Sequence, residues 1–159
     1  MEKKEIVRHL YKLAQLDIDA WHAYGQAMEK IENALDVRDR LERYRGDHHR
    51  HVVDLSAKIR ELEGEPPDFA MDFKGFLISG FTSLRSVTGA QGALAAMETN
   101  EKLTNRNYAE AVQTPGFPSD IHALLEANYQ DEKEHLRYVE DRLDFLVREK
   151  GGAGRSQRY

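Results

Sequence analysis

The stretch from Leu125 to Leu146 reads LEANYQDEKEHLRYVEDRLDFL. Its apolar positions Leu125, Tyr129, Leu136, Val139, Leu143 and Leu146 recur every three or four residues, the spacing of one face of an α-helix. Glu132 and His135 stand on that same stripe. A charged group set among apolar neighbours costs several kcal/mol unless it finds a partner. The segment therefore predicts a helix whose buried face carries a carboxylate and an imidazole, and other segments have to supply their partners.

Working outward, every other long segment repeats this arrangement. Ile6, Leu10, Leu13, Leu16, Ala20, Tyr24, Ala27, Ile31 and Leu35 predict a first helix over 3–34, with Asp17 in its stripe. Val37, Leu41, Tyr44, Val52, Leu55, Ile59 and Leu62 predict a second, capped by Asp36 and carrying His48 and His51. It should end with Gly64 at C′, before Pro66-Pro67. Gly46, inside this helix, costs about 1 kcal/mol relative to Ala and reads as a point of close packing or a local kink. Ala90, Leu94, Met97, Tyr108 and Val112 predict a third helix over 88–112, with Glu98 and Glu101 on the same stripe. Pro115, Gly116 and Pro118 form the next turn, Ser119 caps the fourth helix, and that helix ends near residue 150. Between the second and third helices the apolar run Phe69, Phe73, Phe76, Leu77, Phe81 and Leu84 predicts a crossover with a short helix over about 70–86. No segment alternates with period two, so no strand is expected.

Short connections make antiparallel hairpins of the first and second helices and of the third and fourth. The crossover is long enough to carry the chain along the bundle. The expected fold is all-α: a four-helix bundle with one crossover, as in ferritin-like folds, forming one domain over 1–150 with a disordered glycine-rich tail over 151–159.

Composition agrees. The chain has 159 residues, enough to bury a sizeable core without staples. It has no cysteine, which excludes disulfides, thiolate metal ligands and cysteine nucleophiles. The net charge of −5 argues against nucleic acid as a partner, and 32% charged residues argue against a membrane. The N-terminal Met-Glu-Lys-Lys-Glu lacks the apolar run of a signal peptide, so a cytoplasmic protein is expected.

The informative residues are the polar ones on apolar stripes: Asp17, His48, His51, Glu98, Glu101, Glu132 and His135. Residues at equal distances from a hairpin turn lie at equal height. That rule sets Asp17 opposite His51, and Glu98 and Glu101 level with Glu132 and His135. Residues three apart on a helix point to the same side, so His48/His51 and Glu132/His135 can each grip a cation. Mixed carboxylate and imidazole donors suit iron, manganese or zinc better than calcium or magnesium. A metal-free polar network is the alternative. His9, His22, His49 and His122 lie off the stripes and should be surface residues.

The segments Met97-Glu98-Thr99-Asn100-Glu101 with Tyr108, and Tyr129-Gln130-Asp131-Glu132-Lys133-Glu134-His135, together with the phenylalanine-rich crossover, carry a resemblance to the ferritin-like superfamily. That superfamily includes bacterioferritin and rubrerythrin, and the likeness is greatest to its small bacterial branch of unknown function. It covers about residues 5–148. It implies a di-iron carboxylate site in which Glu132 and His135 match the fourth-helix motif, Glu98 or Glu101 the third-helix glutamate, and His51 the second-helix histidine. The first-helix acid is Asp17 or Asp19. His48 stands where the family usually has glutamate, so one metal, or zinc, becomes an alternative to an iron pair. Cage ferritins end in an additional helix; here a glycine-rich tail favours a homodimer over a shell. The functions implied are iron handling or oxygen and peroxide chemistry. A metal-free stress or scaffold bundle, or a partner-binding bundle using the aromatic crossover, stands against them.

Overall fold

A computed structural model describes residues 1–69, 84 and 86–153. Among these residues the regular structure is entirely helical: α1 (Lys3–Glu29), α2 (Leu35–Glu61), α3 (Gly89–Gln113) and α4 (Ser119–Ala153). α1 packs along α2 and α3 along α4, with α1 also against α3 and α2 against α4. The C-terminal end of α2 lies beside the start of α1, where Gly64 meets Val7. The start of α3 instead lines a cavity with Lys30, Glu32, Asn33 and Ala34 from the α1–α2 turn. α2 and α3 therefore run the same way, and the connection between them carries the chain along the bundle. At 1.5 Å per residue, 27-residue α2 alone spans about 40 Å. This is the ferritin-like arrangement with one crossover. The short helix expected over 70–86 falls outside the described residues.

Several boundaries differ from expectation. α1 stops at Glu29, and residues 30–34 make the turn, anchored by the buried Ile31. Asp36 does not cap α2: the N-cap is Ala34, and Asp36 sits in the first turn, where its charge still suits the helix dipole. α2 closes in a Schellman motif, with Glu63 N–H bonded to the Arg60 carbonyl and Gly64 N–H to that of Ile59, both at 2.8 Å. Glu63, not Gly64, is the C′ residue and takes the left-handed φ of 60°. Gly64 is needed for space: a Cβ there would lie 2.7 Å from Val7 Cγ1. Gly46 marks neither close packing nor a kink. It is exposed, α2 is continuous through it, and a Cβ would meet nothing within 4 Å. α4 runs through Gly151 and Gly152 to Ala153, since glycine lowers helix stability without forbidding a helix. No helix among the described residues is long and apolar enough to cross a membrane.

The core has two apolar parts. One, around Tyr24, Leu41, Tyr44, Leu94, Met97 and Val139, fills the end near the α1–α2 turn. The other, around Leu10, Leu13, Leu55, Ile59, Tyr108 and Leu125, fills the opposite end. Between them lie Asp17, His48, His51, Glu101, Glu132 and His135, all essentially inaccessible to solvent.

Two glycine substitutions should move stability in opposite directions. Gly46→Ala should raise it by about 1 kcal/mol, a melting increase of roughly 2–4 °C for a chain of this size. Gly64→Ala should lower it, because Val7 and Ile59 must shift. Thermal denaturation followed by circular dichroism checks both.

Candidate metal centre

All four helices contribute to the polar layer, and they do so at one height. Asp17 on α1 is its most connected member. His48 Nδ1 lies 2.7 Å and His51 Nδ1 3.2 Å from Asp17 Oδ1. The Tyr108 hydroxyl donates to Asp17 Oδ2 at 2.5 Å. Glu101 on α3 accepts from the Tyr24 hydroxyl and, at 3.3 Å, from Thr104 Oγ1. His48 Nε2 stands 3.7 Å from Glu101 Oε1. Glu132 on α4 places Oε1 3.3 Å from His51 Nδ1 and 3.4 Å from His48 Nδ1, and Oε2 4.0 Å from His135 Nδ1.

Around this layer lies a half-exposed one that sequence reading missed. His51 Nε2 bonds Asp131 Oδ2 at 3.0 Å, and His135 Nε2 bonds Asp47 Oδ2 at 3.0 Å. Arg50 contacts both aspartates, at 2.5 Å to Asp131 and 3.3 Å to Asp47. Each outward imidazole nitrogen thus faces a carboxylate, which leaves Nδ1 of both rings directed inward. The signal was present in the chain. Asp47-His48-x-x-His51 and Asp131-Glu132-x-x-His135 share one pattern, and the aspartate of each helix holds the histidine of the other. Half-exposed aspartates off the apolar stripe gave no reason to single them out.

The placement of the expected residues is mixed. Asp17, His48, His51, Glu101, Glu132 and His135 come together. Glu98 does not: it is part-exposed and paired with Lys102 one turn on. Of the two first-helix candidates, Asp17 is in the layer, and Asp19, although buried, belongs to neither donor group. Tyr24 and Tyr108 are core residues, as their spacing indicated, and also hydrogen-bond cluster carboxylates. His49 and His122 are exposed, while His9 packs on Phe117 and His22 beside Trp21.

The donors form two overlapping groups, Asp17/His48/His51/Glu132 and His48/Glu101/Glu132/His135. Within each group one ligand atom per residue lies within 4.8 Å of every other. Burial works against charge on His48, but Glu132 and Asp17 outweigh it and push the ring up to about 10. Burial likewise opposes charge on His51, and Asp17 and Asp131 push it to about 12. Burial alone would raise Asp17; His51 and His48 hold it at about 2 instead. The hydrogen bond from His51 holds Asp131 at about 2 as well. Burial, reinforced by Glu101, raises the Tyr24 hydroxyl, and burial with Asp17 raises that of Tyr108, so both remain protonated donors.

Helix order, crossover and site define a ferritin-like four-helix bundle. The chain belongs to the family described as a domain of unknown function, DUF2383, whose model matches residues 5–114. No curated protein matches the sequence. Among solved structures, the chain is similar to the dodecameric thioferritin, a bacterioferritin-related protein from Bacteroides fragilis, at a TM-score of 0.84 and 20% identity over 96% of this chain and 92% of that one. It is also similar to Dps from Thermosynechococcus elongatus, at 0.77 and 14% identity over 89% and 91% of the two chains. A ferritin-like, diiron-carboxylate protein from Bacillus anthracis str. Ames gives 0.70 and 16% identity over 90% and 99%. At these identities the likeness is one of fold.

The metal-free protein should show a specific pH profile. The raised histidines contribute stability that is fully present below their unfolded value of 6.5 and lost as pH climbs through about 10 and 12. The depressed aspartates contribute stability present above 3.8 and lost as pH falls through about 2. Chemical denaturation in excess chelator should therefore find these groups' contribution greatest between about pH 4 and 6.5, falling on either side.

Proposed function

We propose that the bundle core binds a transition-metal ion, with iron first and manganese or zinc as alternatives. One observation carries this reading. His48 Nε2, both Glu132 carboxylate oxygens and His135 Nδ1 are buried with no hydrogen-bond partner among the described residues. Unsatisfied buried donors and acceptors each cost on the order of 1–3 kcal/mol, and more when charged. These atoms converge from two helices on Glu101 from a third. A cation among them satisfies all of them at once and offsets the buried carboxylates. Two imidazoles with carboxylates are a borderline donor set, which suits iron, manganese and zinc better than magnesium or calcium.

A bound iron would supply one-electron chemistry with oxygen or peroxide, in line with the diiron-carboxylate description of the Bacillus anthracis neighbour. The chain's own residues then have clear tasks. Asp47 and Asp131 orient imidazoles, Tyr24 and Tyr108 hold carboxylates in place by donating to them, and the two apolar clusters exclude water from both ends. The partners in this reading are the ion and a second copy of the chain, as a cytoplasmic homodimer. The exposed Leu35, Phe145 and Val147 support self-association, and sedimentation counts the chains. A metal-free structural bundle is the second reading. It is favoured by Asp17, both of whose oxygens already have partners inside the protein.

Elemental analysis of untagged protein should find iron, manganese or zinc, and chelation should lower the melting temperature. An ion present at about 100 times its dissociation constant stabilises by about 2.7 kcal/mol, roughly 5–10 °C here. Glu132→Ala should remove both the metal and the chelator effect. Protons compete with metal for imidazole, so stability with metal should rise from pH 5 to about 7, opposite to the metal-free protein's slope above 6.5. Absence of metal, with melting indifferent to chelator, would leave the structural network as the function of the layer.

A further inference from the structure

We propose that the core holds one ion per chain rather than a pair, in the site made by His48 Nε2, Glu101, Glu132 and His135 Nδ1, and that His48 sets this number. The inference rests on the metal-binding reading above and concerns which of the two overlapping donor groups takes the ion.

Distance does not separate the two groups, since in each the ligand atoms lie within 4.8 Å of one another. Hydrogen bonding does. In the group containing Asp17, the protein's own donors already occupy the aspartate: His48 Nδ1 on Oδ1 at 2.7 Å and Tyr108 on Oδ2 at 2.5 Å. His51 has a carboxylate on each nitrogen, Asp17 at 3.2 Å and Asp131 at 3.0 Å. An ion there would have to displace these bonds. In the other group His48 Nε2, both Glu132 oxygens and His135 Nδ1 have no hydrogen bond to displace. Glu101 keeps lone pairs beyond those that accept from Tyr24 and Thr104.

The chemistry of residue 48 gives the reason. A carboxylate at this position could give one oxygen to each of two ions. A neutral imidazole has one lone pair: with Nδ1–H donating to Asp17, only Nε2 can bind a metal. Ligation through both nitrogens would require removing the second proton and breaking the shortest bond Asp17 makes to a histidine. In this arrangement Asp17 is a positioning residue for His48, as Asp47 is for His135.

The test is a count on the full-length protein. Metal-free protein titrated with manganese(II) should take one ion per chain, giving the spectrum of an isolated ion in electron paramagnetic resonance, and Glu132→Ala should lose that ion. Asp17→Asn still accepts from His48 Nδ1–H, so it should keep one ion with affinity weakened about 10- to 100-fold. His48→Glu should take two. Two ions in the unaltered protein, bound with similar affinity and magnetically coupled, overturn the proposal while leaving the metal-binding reading intact. No uptake at all overturns both. Should His48→Glu fail to fold, the count on the unaltered chain decides.

Discussion

The structure depends on burying a layer of ionisable side chains across the middle of a helical bundle. Asp17, His48, His51, Glu101, Glu132 and His135 divide the apolar core into two clusters. Neither cluster can close unless that layer is neutralised from within, because buried charges without partners cost more than the packing around them can return. Every helix must therefore present its polar residue at the same height. Helix length, turn position and the direction of the crossover are all subject to that requirement.

The layer is neutralised unevenly. On the side of Asp17, protons shared among imidazoles, a tyrosine and carboxylates meet nearly every need. On the side of Glu132 and His135 they do not, and the unsatisfied atoms collect there. A symmetric carboxylate cluster would spread that deficit over two positions. The imidazole of His48 concentrates it on one side, because its Nδ1 bonds Asp17 while its Nε2, without a hydrogen-bond partner, faces Glu101.

Support from outside has the opposite, symmetric character. Asp47 and Asp131 each hold the histidine of the other's helix, and Arg50 lies against both carboxylates. This outer triad ties α2 to α4, the neighbouring pair with the least direct backbone packing. It fixes the orientation of His51 and His135 without contributing an atom to the layer itself. Orientation is thus secured at the half-exposed edge of the bundle, where a carboxylate is cheap to solvate, while both imidazoles are wholly buried.

Much of this was legible in the chain. Apolar spacing fixed four helices and their hairpin pairing, since periodicity and short turns are local properties. The same stripes exposed Asp17, His48, His51, Glu101, Glu132 and His135 as polar intruders. Glu98 is the exception: it shares a stripe position with Met97, yet it turns to Lys102 and solvent, and only the packing of α3 could settle that. Helix ends such as Glu29 and the C′ role of Glu63 were decided by the turn and by Val7 against Gly64. Asp47 and Asp131 carried a repeated pattern but no apolar context to mark them. Above all, each hairpin's polar residues could be levelled within that hairpin, but not between hairpins. The crossover sets that register, and the joining of two half-sites into one layer is therefore a property of the tertiary structure. Local sequence fixes heights within a hairpin, and only the packed bundle brings separate hairpins to the same height.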